Sequence, residues 1–130
     1  MRTAIYDYIK GLSLGQFRLS DERPFDASGQ ALYLKNMKTV YVDQEQITHE
    51  TLIATLDGVN INAETTSVRV YFSTDAKQLP STYSSLVSSI KTARNTTAIQ
   101  GVNRREVDVT TSYEEDKMVT EFEFRFTTII

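Results

Sequence analysis

The sequence contains no cysteine and a single histidine. The lack of cysteine excludes thiolate catalysis, zinc–thiolate sites and disulfides, and it is compatible with a reducing compartment. No apolar run approaches the ~20 residues that a membrane-spanning helix requires. The first residues carry Arg2, but Asp7 and Lys10 interrupt the apolar stretch that a signal peptide would need. We therefore expect a soluble protein.

Positive charge is also scarce, because 14 Lys and Arg stand against 17 Asp and Glu, which gives a net charge of −3. Proteins that bind nucleic acid usually carry a basic surplus, and the pair Arg104-Arg105 is too small to supply one. We expect neither specific nucleic-acid binding nor a membrane partner. A chain of 130 residues has the usual length of one domain, so we expect a single domain over residues 1–130.

Helical spacing occurs in two segments. The first is an apolar stripe with Gly11 and Gly15 available to end the helix. Its members are Met1, Ala4, Ile5, Tyr8, Ile9 and Leu12. The second covers residues 80–94, where apolar residues alternate with serines at helical spacing and Pro80 suits the first turn. Its apolar stripe consists of Tyr83, Leu86, Val87, Ile90 and Ala93. Between the first helix and the strands, residues 14–30 predict an irregular connection.

Elsewhere the apolar residues alternate with a period of two, which is typical of half-buried strands. This pattern predicts two short strands, or one strand bent around Asn36 and Lys38, over residues 31–43. It also predicts a strand over 50–56 and another over 66–74. Asp57-Gly58 is a turn signal, and the polar residues 60–66 predict either a loop or the arm of a hairpin. Residues 105–113 and 118–130 alternate on either side of the short acidic connection 114–117, which predicts an antiparallel hairpin.

The order of elements predicts an α+β domain with an antiparallel or mixed sheet. We expect an N-terminal helix and a second helix over about residues 80–94, both packed on one face of the sheet. A C-terminal β-hairpin closes the domain.

No constellation of residues predicts catalysis. His49 has Glu50 beside it, but neighbours on a strand point to opposite faces and a histidine base needs a converging second group. The acidic run 114–116 lacks the spacing of a calcium loop. The serines of the second helix lie in no Gly-x-Ser-x-Gly elbow, and no histidine follows them. We expect no catalytic residue, no metal site and no cofactor, and hence no enzyme.

The last strand carries the strongest pattern, because its two faces differ in character. Three phenylalanines share one face and predict the core of the sheet under the second helix. They are Phe122, Phe124 and Phe126. The charged residues of the opposite face indicate either a solvated surface or a subunit interface. Together with Arg69 and Tyr71 from the strand predicted over residues 66–74, the candidate interface residues on this face are Glu121, Glu123 and Arg125.

The chain resembles the tail-terminator proteins of long-tailed bacteriophages in its length and in the order of its elements. The segment "FSTDAKQLPSTYSSLVSSIKTARN" leads from strand to helix, and "REVDVTTSYEEDKMVTEFEFRFTTII" forms a closing hairpin with an acidic turn. The resemblance implies a structural virion protein that forms a six-membered ring, caps the tail tube, ends its polymerisation and joins the tail to the head. It implies partners in other copies of the chain, in the tail-tube protein and in the head–neck connector, at the tail–head junction of a virion assembled in the host cytoplasm. A different connector, neck or tail-tube protein, and a monomeric α+β binding module, are the alternatives.

A ring of this kind requires two different patches that meet between neighbouring copies. An exposed sheet edge is one such patch, and the charged face of the last strand is another. We expect Arg69 and Arg125 to meet acidic residues, with Glu121 or Glu123 as partners, and we expect Arg125→Glu to weaken assembly more than the subunit. Ile129 and Ile130 either pack under the N-terminal helix or contact a neighbouring subunit.

Overall fold

The protein is described by a computed structural model that covers residues 1–15, 17–20, 38–54, 58, 60–77, 81–114 and 117–130. The fold is α+β, as the sequence predicts. Its elements are α1 (Arg2–Lys10), β1 (Arg18–Leu19), β2 (Thr39–Val42), β3 (Gln46–Ala54), β4 (Asn60–Asp75), α2 (Tyr83–Lys91), a 3₁₀ turn (Thr92–Asn95), β5 (Arg104–Glu114) and β6 (Lys117–Ile129). Among the described residues, no helix is long and apolar enough to span a membrane. The strand predicted around Leu32 and Leu34, and the acidic pair Glu115 and Asp116, lie outside the described residues.

The two helices form where the apolar stripes predict them. In α1, Ile5 and Ile9 are fully buried, and the helix ends at Gly11, whose N–H bonds to the carbonyl of Asp7. In α2, Leu86 and Ile90 face the core, and the helix begins at Tyr83, later than the predicted residue 80. Both helices lie on the same face of the sheet, because their buried residues belong to one apolar cluster.

Strand β4 is the centre of the sheet. One of its edges pairs from Ala63 to Asp75 with β6, which in turn pairs with β5, and both pairings are antiparallel. The other edge pairs with β3 near the start of β4 and with β2 near its end, both antiparallel. The two-residue β1 adds to β2 in parallel and makes the sheet mixed. The predicted C-terminal hairpin is confirmed, since β5 and β6 pair from Glu114 and Lys117 outwards.

The core fills the space between the helices and the sheet. Phe122, Phe124 and Phe126 are no more than 1% exposed and form a row of stacked rings 6.4 Å apart. They pack with Val68, Val70, Phe72, Ile5, Ile9, Leu86 and Ile90. The ring of Phe17, from the connection after α1, lies 4.2 Å from that of Phe72. Each buried large side chain contributes about 1.5–3 kcal/mol, so this row stabilises the fold strongly.

The sheet extends well beyond the helices. The 16 residues of β4 span about 50 Å at ~3.3 Å per residue, whereas the nine residues of α2 span about 14 Å at 1.5 Å per residue. Residues 46–54 and 60–67 form a hairpin, here called the arm, in which side chains 46–51 are all exposed. The hairpin prediction for residues 60–66 is therefore confirmed, and the loop alternative is wrong.

Candidate assembly surfaces

The face of the sheet away from the helices carries a continuous group of charged side chains, here called the charged face. It consists of Arg69, Arg104, Glu106, Asp108, Glu121, Glu123 and Arg125. The strand registers align them, because β4, β6 and β5 place Arg69 opposite Glu123 and Arg125 opposite Glu106. Three arginines meet four carboxylates, so the group carries one negative charge in excess.

Glu123 connects the two arginines that the sequence singles out. Arg69 Nε lies 3.2 Å from Glu121 Oε1, and its NH2 lies 3.6 Å from Glu123 Oε2. Arg125 NH1 lies 3.3 Å from Glu123 Oε1. Its NH2 lies 2.6 Å from Asp108 Oδ2 and 3.4 Å from Glu106 Oε2. The expected pairing of Arg69 and Arg125 with Glu121 and Glu123 thus occurs within one chain.

These contacts stabilise the charged forms of both arginines. Burial alone would lower the pKa of Arg69, but Glu121 and Glu123 outweigh it, and the pKa of Arg69 is raised. The hydrogen bond to Asp108 is the main cause that raises the pKa of Arg125, with Glu123 and Glu106 adding to it against the opposing effect of burial. Both guanidinium groups therefore stay charged at any pH of interest.

Tyr71, another predicted interface residue, is only 7% exposed. Its ring stacks on that of Tyr41 at 6.4 Å, and both pack with Val119 in a small apolar cluster beside the charged face. Burial raises the pKa of the Tyr71 phenol, and Glu121 and Asp43 raise it further against the effect of Arg69. Tyr71 therefore supports the charged face from within rather than presenting its ring at the surface.

Ile129 and Ile130 lie at the end of β6, beside the arm, and are 45% and 63% exposed. The alternative that they pack under α1 is wrong. Their backbone is fixed, since the N–H of Ile129 donates to Asn103 Oδ1 at 2.8 Å and that of Ile130 donates to the carbonyl of Asn62 at 2.9 Å. Ile129 and Ile130 therefore present two neighbouring apolar side chains at the surface.

His49 lies on the exposed strand β3, where its Nε2 is 3.0 Å from Glu64 Oε2 on β4. A shallow depression of about 310 Å³ beside it is lined by His49, Glu50, Thr51, Asn62 and Ile130. Within the described ranges, no group of three or more acidic, histidine or cysteine residues could hold a metal ion. A scan against protein-family models gives no match for the chain, and neither does a search of curated protein sequences.

The structure adds residues that the sequence analysis did not select. Ile47 on β3 is 54% exposed, and Val109 and Tyr113 on β5 are 39% and 67% exposed. Both β3 and β5 lie at an edge of the sheet in the part of the chain that the structure describes. Glu106 and Asp108 were also missed, although the sequence held the signal. The pairing of Glu114 with Lys117 sets the hairpin register and so places both carboxylates near Arg125.

Proposed function

We propose that the protein is a non-enzymatic structural subunit that assembles into a ring, in the manner of a phage tail terminator. In this role the ring caps the tail tube, ends its polymerisation and presents its other side to the head–neck connector. The tail role is supported by the order of elements and by the long closing hairpin, which resemble those of tail terminators.

One observation supports the assembly most directly, namely that β3 and β5 each have an edge with which no other described strand pairs, and that these strands carry exposed apolar residues. Ile47 on β3 and Tyr113 on β5 are more than half exposed. Open edges with apolar side chains favour pairing with another chain. Such edges are a hazard for a monomer but are useful in a subunit.

The charged face supports the same role in a different way. Each arginine of the charged face has a carboxylate partner in its own chain, so a neighbour that covers the face leaves no arginine unpaired. Burying charges that are already paired costs less than burying isolated ones. We propose that Arg69, Glu121, Glu123 and Arg125 border a contact with a neighbouring subunit or with the tube, together with Ile129 and Ile130.

The test is to measure the mass of the purified protein by native mass spectrometry over a range of concentrations, and then to add it to tail tubes for negative-stain imaging. A ring terminator gives one closed oligomer and decorates tube ends. A protein that decorates the whole length of tubes, or that binds only the connector, would instead be a tube or neck subunit. A protein that stays monomeric at every concentration contradicts the proposal and favours a binding module.

A further inference from the structure

We infer that the free edge of β3 in one copy pairs antiparallel with the free edge of β5 in the next copy, with Ile47 opposite Tyr113. The inference deepens the proposed ring assembly and rests on it. It names the two surfaces that meet and their register. The sheet then continues from subunit to subunit.

The directions of the strands allow this continuation. Across the sheet, β5, β6, β4 and β3 alternate in direction, because each neighbouring pair is antiparallel. Among the described residues, no strand pairs with the outer edge of β3 or of β5. Because an even number of strands alternates in direction, β5 of a second copy in the same orientation runs antiparallel to β3 when it is placed beside it. The helices of both copies then lie on the same side of the combined sheet.

The hydrogen-bonding groups of the two edges also match. In an antiparallel pair, successive residues direct their N–H and C=O groups alternately towards one neighbour and the other. The bond from Ile130 N–H to the carbonyl of Asn62 shows that even-numbered residues of β4 face β6. The bond from Asp43 N–H to the carbonyl of Arg69 shows that odd-numbered ones face the opposite edge.

The registers carry this alternation to the outer edges. On β3, residues 47, 49 and 51 direct their backbone groups outwards, and on β5 residues 107, 109, 111 and 113 do so. On both edges these are the residues whose side chains lie on the helix side of the sheet, as the pairings Ile47–Thr66 and Val109–Phe122 require. Pairing of the two edges therefore places the helix-side residues of both copies on the same side of the combined sheet.

Side chains select the register among those that the backbone allows. Shifts that place Glu50 opposite Glu106 or Asp108 bring like charges together, which destabilises a strand pair. The register with Ile47 opposite Tyr113 instead places Glu50 opposite Thr110 and Thr48 opposite Ser112. It pairs a β-branched with an aromatic side chain, and these are the most exposed large apolar residues of the two edges among those whose side chains are described. It also aligns the part of β3 before its β-bulge, residues 46–51, with residues 109–114.

A head-to-tail contact accounts for the two edges better than a two-fold one. A dimer through β5 alone would cover Tyr113 but leave β3 and Ile47 open in both copies. Open edges that carry apolar side chains invite further pairing. A closed head-to-tail ring covers both edges of every subunit with one type of contact.

The native chain has no cysteine, so engineered cysteines can test the contact directly. Thr48 and Ser112 are exposed and would form a pair without mutual hydrogen bonds, with Cα atoms about 4.5 Å apart, which a disulfide can bridge. Within one chain the two strands are separated by β4 and β6, about 14 Å away at ~4.8 Å per strand, which is too far. Any disulfide must therefore join two copies.

We expect the double variant Thr48→Cys/Ser112→Cys to form a ladder of covalent species up to the size of the ring on oxidation. The matched control Thr48→Cys/Thr110→Cys shifts one cysteine by two residues on the same face and should stay near the level of the single variants. A ring that forms without the 48–112 link overturns the edge pairing and leaves the proposed function standing. A chain that never associates overturns the proposed function as well.

A second variant tests the edge without a cross-link. Thr111→Pro removes an N–H that points to the free edge and takes no part in pairing with β6, and proline is tolerated on edge strands. We expect a subunit with an unchanged circular dichroism spectrum and loss of the oligomer. A Thr111→Pro protein that is folded and still forms the ring contradicts the inference.

Discussion

Arg125→Met replaces a guanidinium that three carboxylates surround with an uncharged side chain of similar length. The variant removes the contacts to Asp108, Glu123 and Glu106 at 2.6, 3.3 and 3.4 Å. It also leaves these carboxylates close together without the cation between them. Partly exposed ion pairs contribute about 0.2–1 kcal/mol each, so three contacts on a side chain that is 30% exposed predict a loss of about 1–2 kcal/mol in the free energy of unfolding.

The assay is urea unfolding at low and at high sodium chloride concentration. The screening length falls from about 10 Å at 0.1 M salt to about 3 Å at 1 M, so the loss should shrink at high salt. Arg104→Met is the matched control, because Arg104 is 71% exposed and forms one ion pair with the described residues, to Glu106. It should change the free energy of unfolding by less than about 0.5 kcal/mol. Equal stabilities of the two variants at low salt would refute the reasoning.

The same geometry changes the expectation for Arg125→Glu. From the sequence, this reversal was expected to weaken assembly more than the subunit. Because Glu106, Asp108 and Glu123 all belong to the same chain, the reversal places a fourth carboxylate among them. We expect the urea midpoint of the subunit to fall and the fraction of oligomer to decrease as well. Urea unfolding measures the first, and sedimentation of the same samples measures the second.

Two further predictions concern hydroxyl groups in the sheet. Thr74 is 1% exposed and its Oγ1 has no hydrogen-bond partner among the described residues, so Thr74→Val should raise the free energy of unfolding by about 1 kcal/mol. Thr120→Val is its control and should lower it, because Thr120 Oγ1 lies 2.6 Å from Tyr83 Oη; shifts in the same direction would contradict the argument. The raised pKa of Tyr71 means that the folded state holds this proton more tightly than the unfolded state, so stability falls as pH rises above about 10. In urea unfolding above about pH 10, the free energy of unfolding of Tyr71→Phe should decrease less than that of the native protein. An equal decrease in both proteins would mean that other groups cause it.

The sequence predicts the elements whose two faces differ most. In β6, the phenylalanines and the charged residues alternate strictly, and the structure buries the first and leaves the second on the opposite face. The apolar stripes of α1 and α2 predict their buried sides in the same way. Each of these elements lies between core and solvent, so the period of the pattern is set by burial itself.

The start of β4 could not be assigned in this way. Residues 60–66 are mostly polar on both faces, and only Ala63 and Thr66 among them are buried. Its structure comes from pairing with β3 on one edge and β6 on the other, which depends on residues distant in sequence. Strand preference is largely a matter of such context, so a strand whose residues are mostly polar on both faces leaves a weak pattern.

The mismatch in length between sheet and helices is the physical basis for where we propose the assembly surfaces. Two short helices cover only the middle of a much longer sheet, and the core residues Val70 and Phe124 lie under them. The apolar side chains that remain exposed, including Ile47, Tyr113 and Ile130, lie towards the outer edges and the ends. A monomer would lower its exposed apolar area with a third helix or a shorter β4. A subunit that other copies cover needs neither, and this is the physical reason to expect that the protein functions as an assembly.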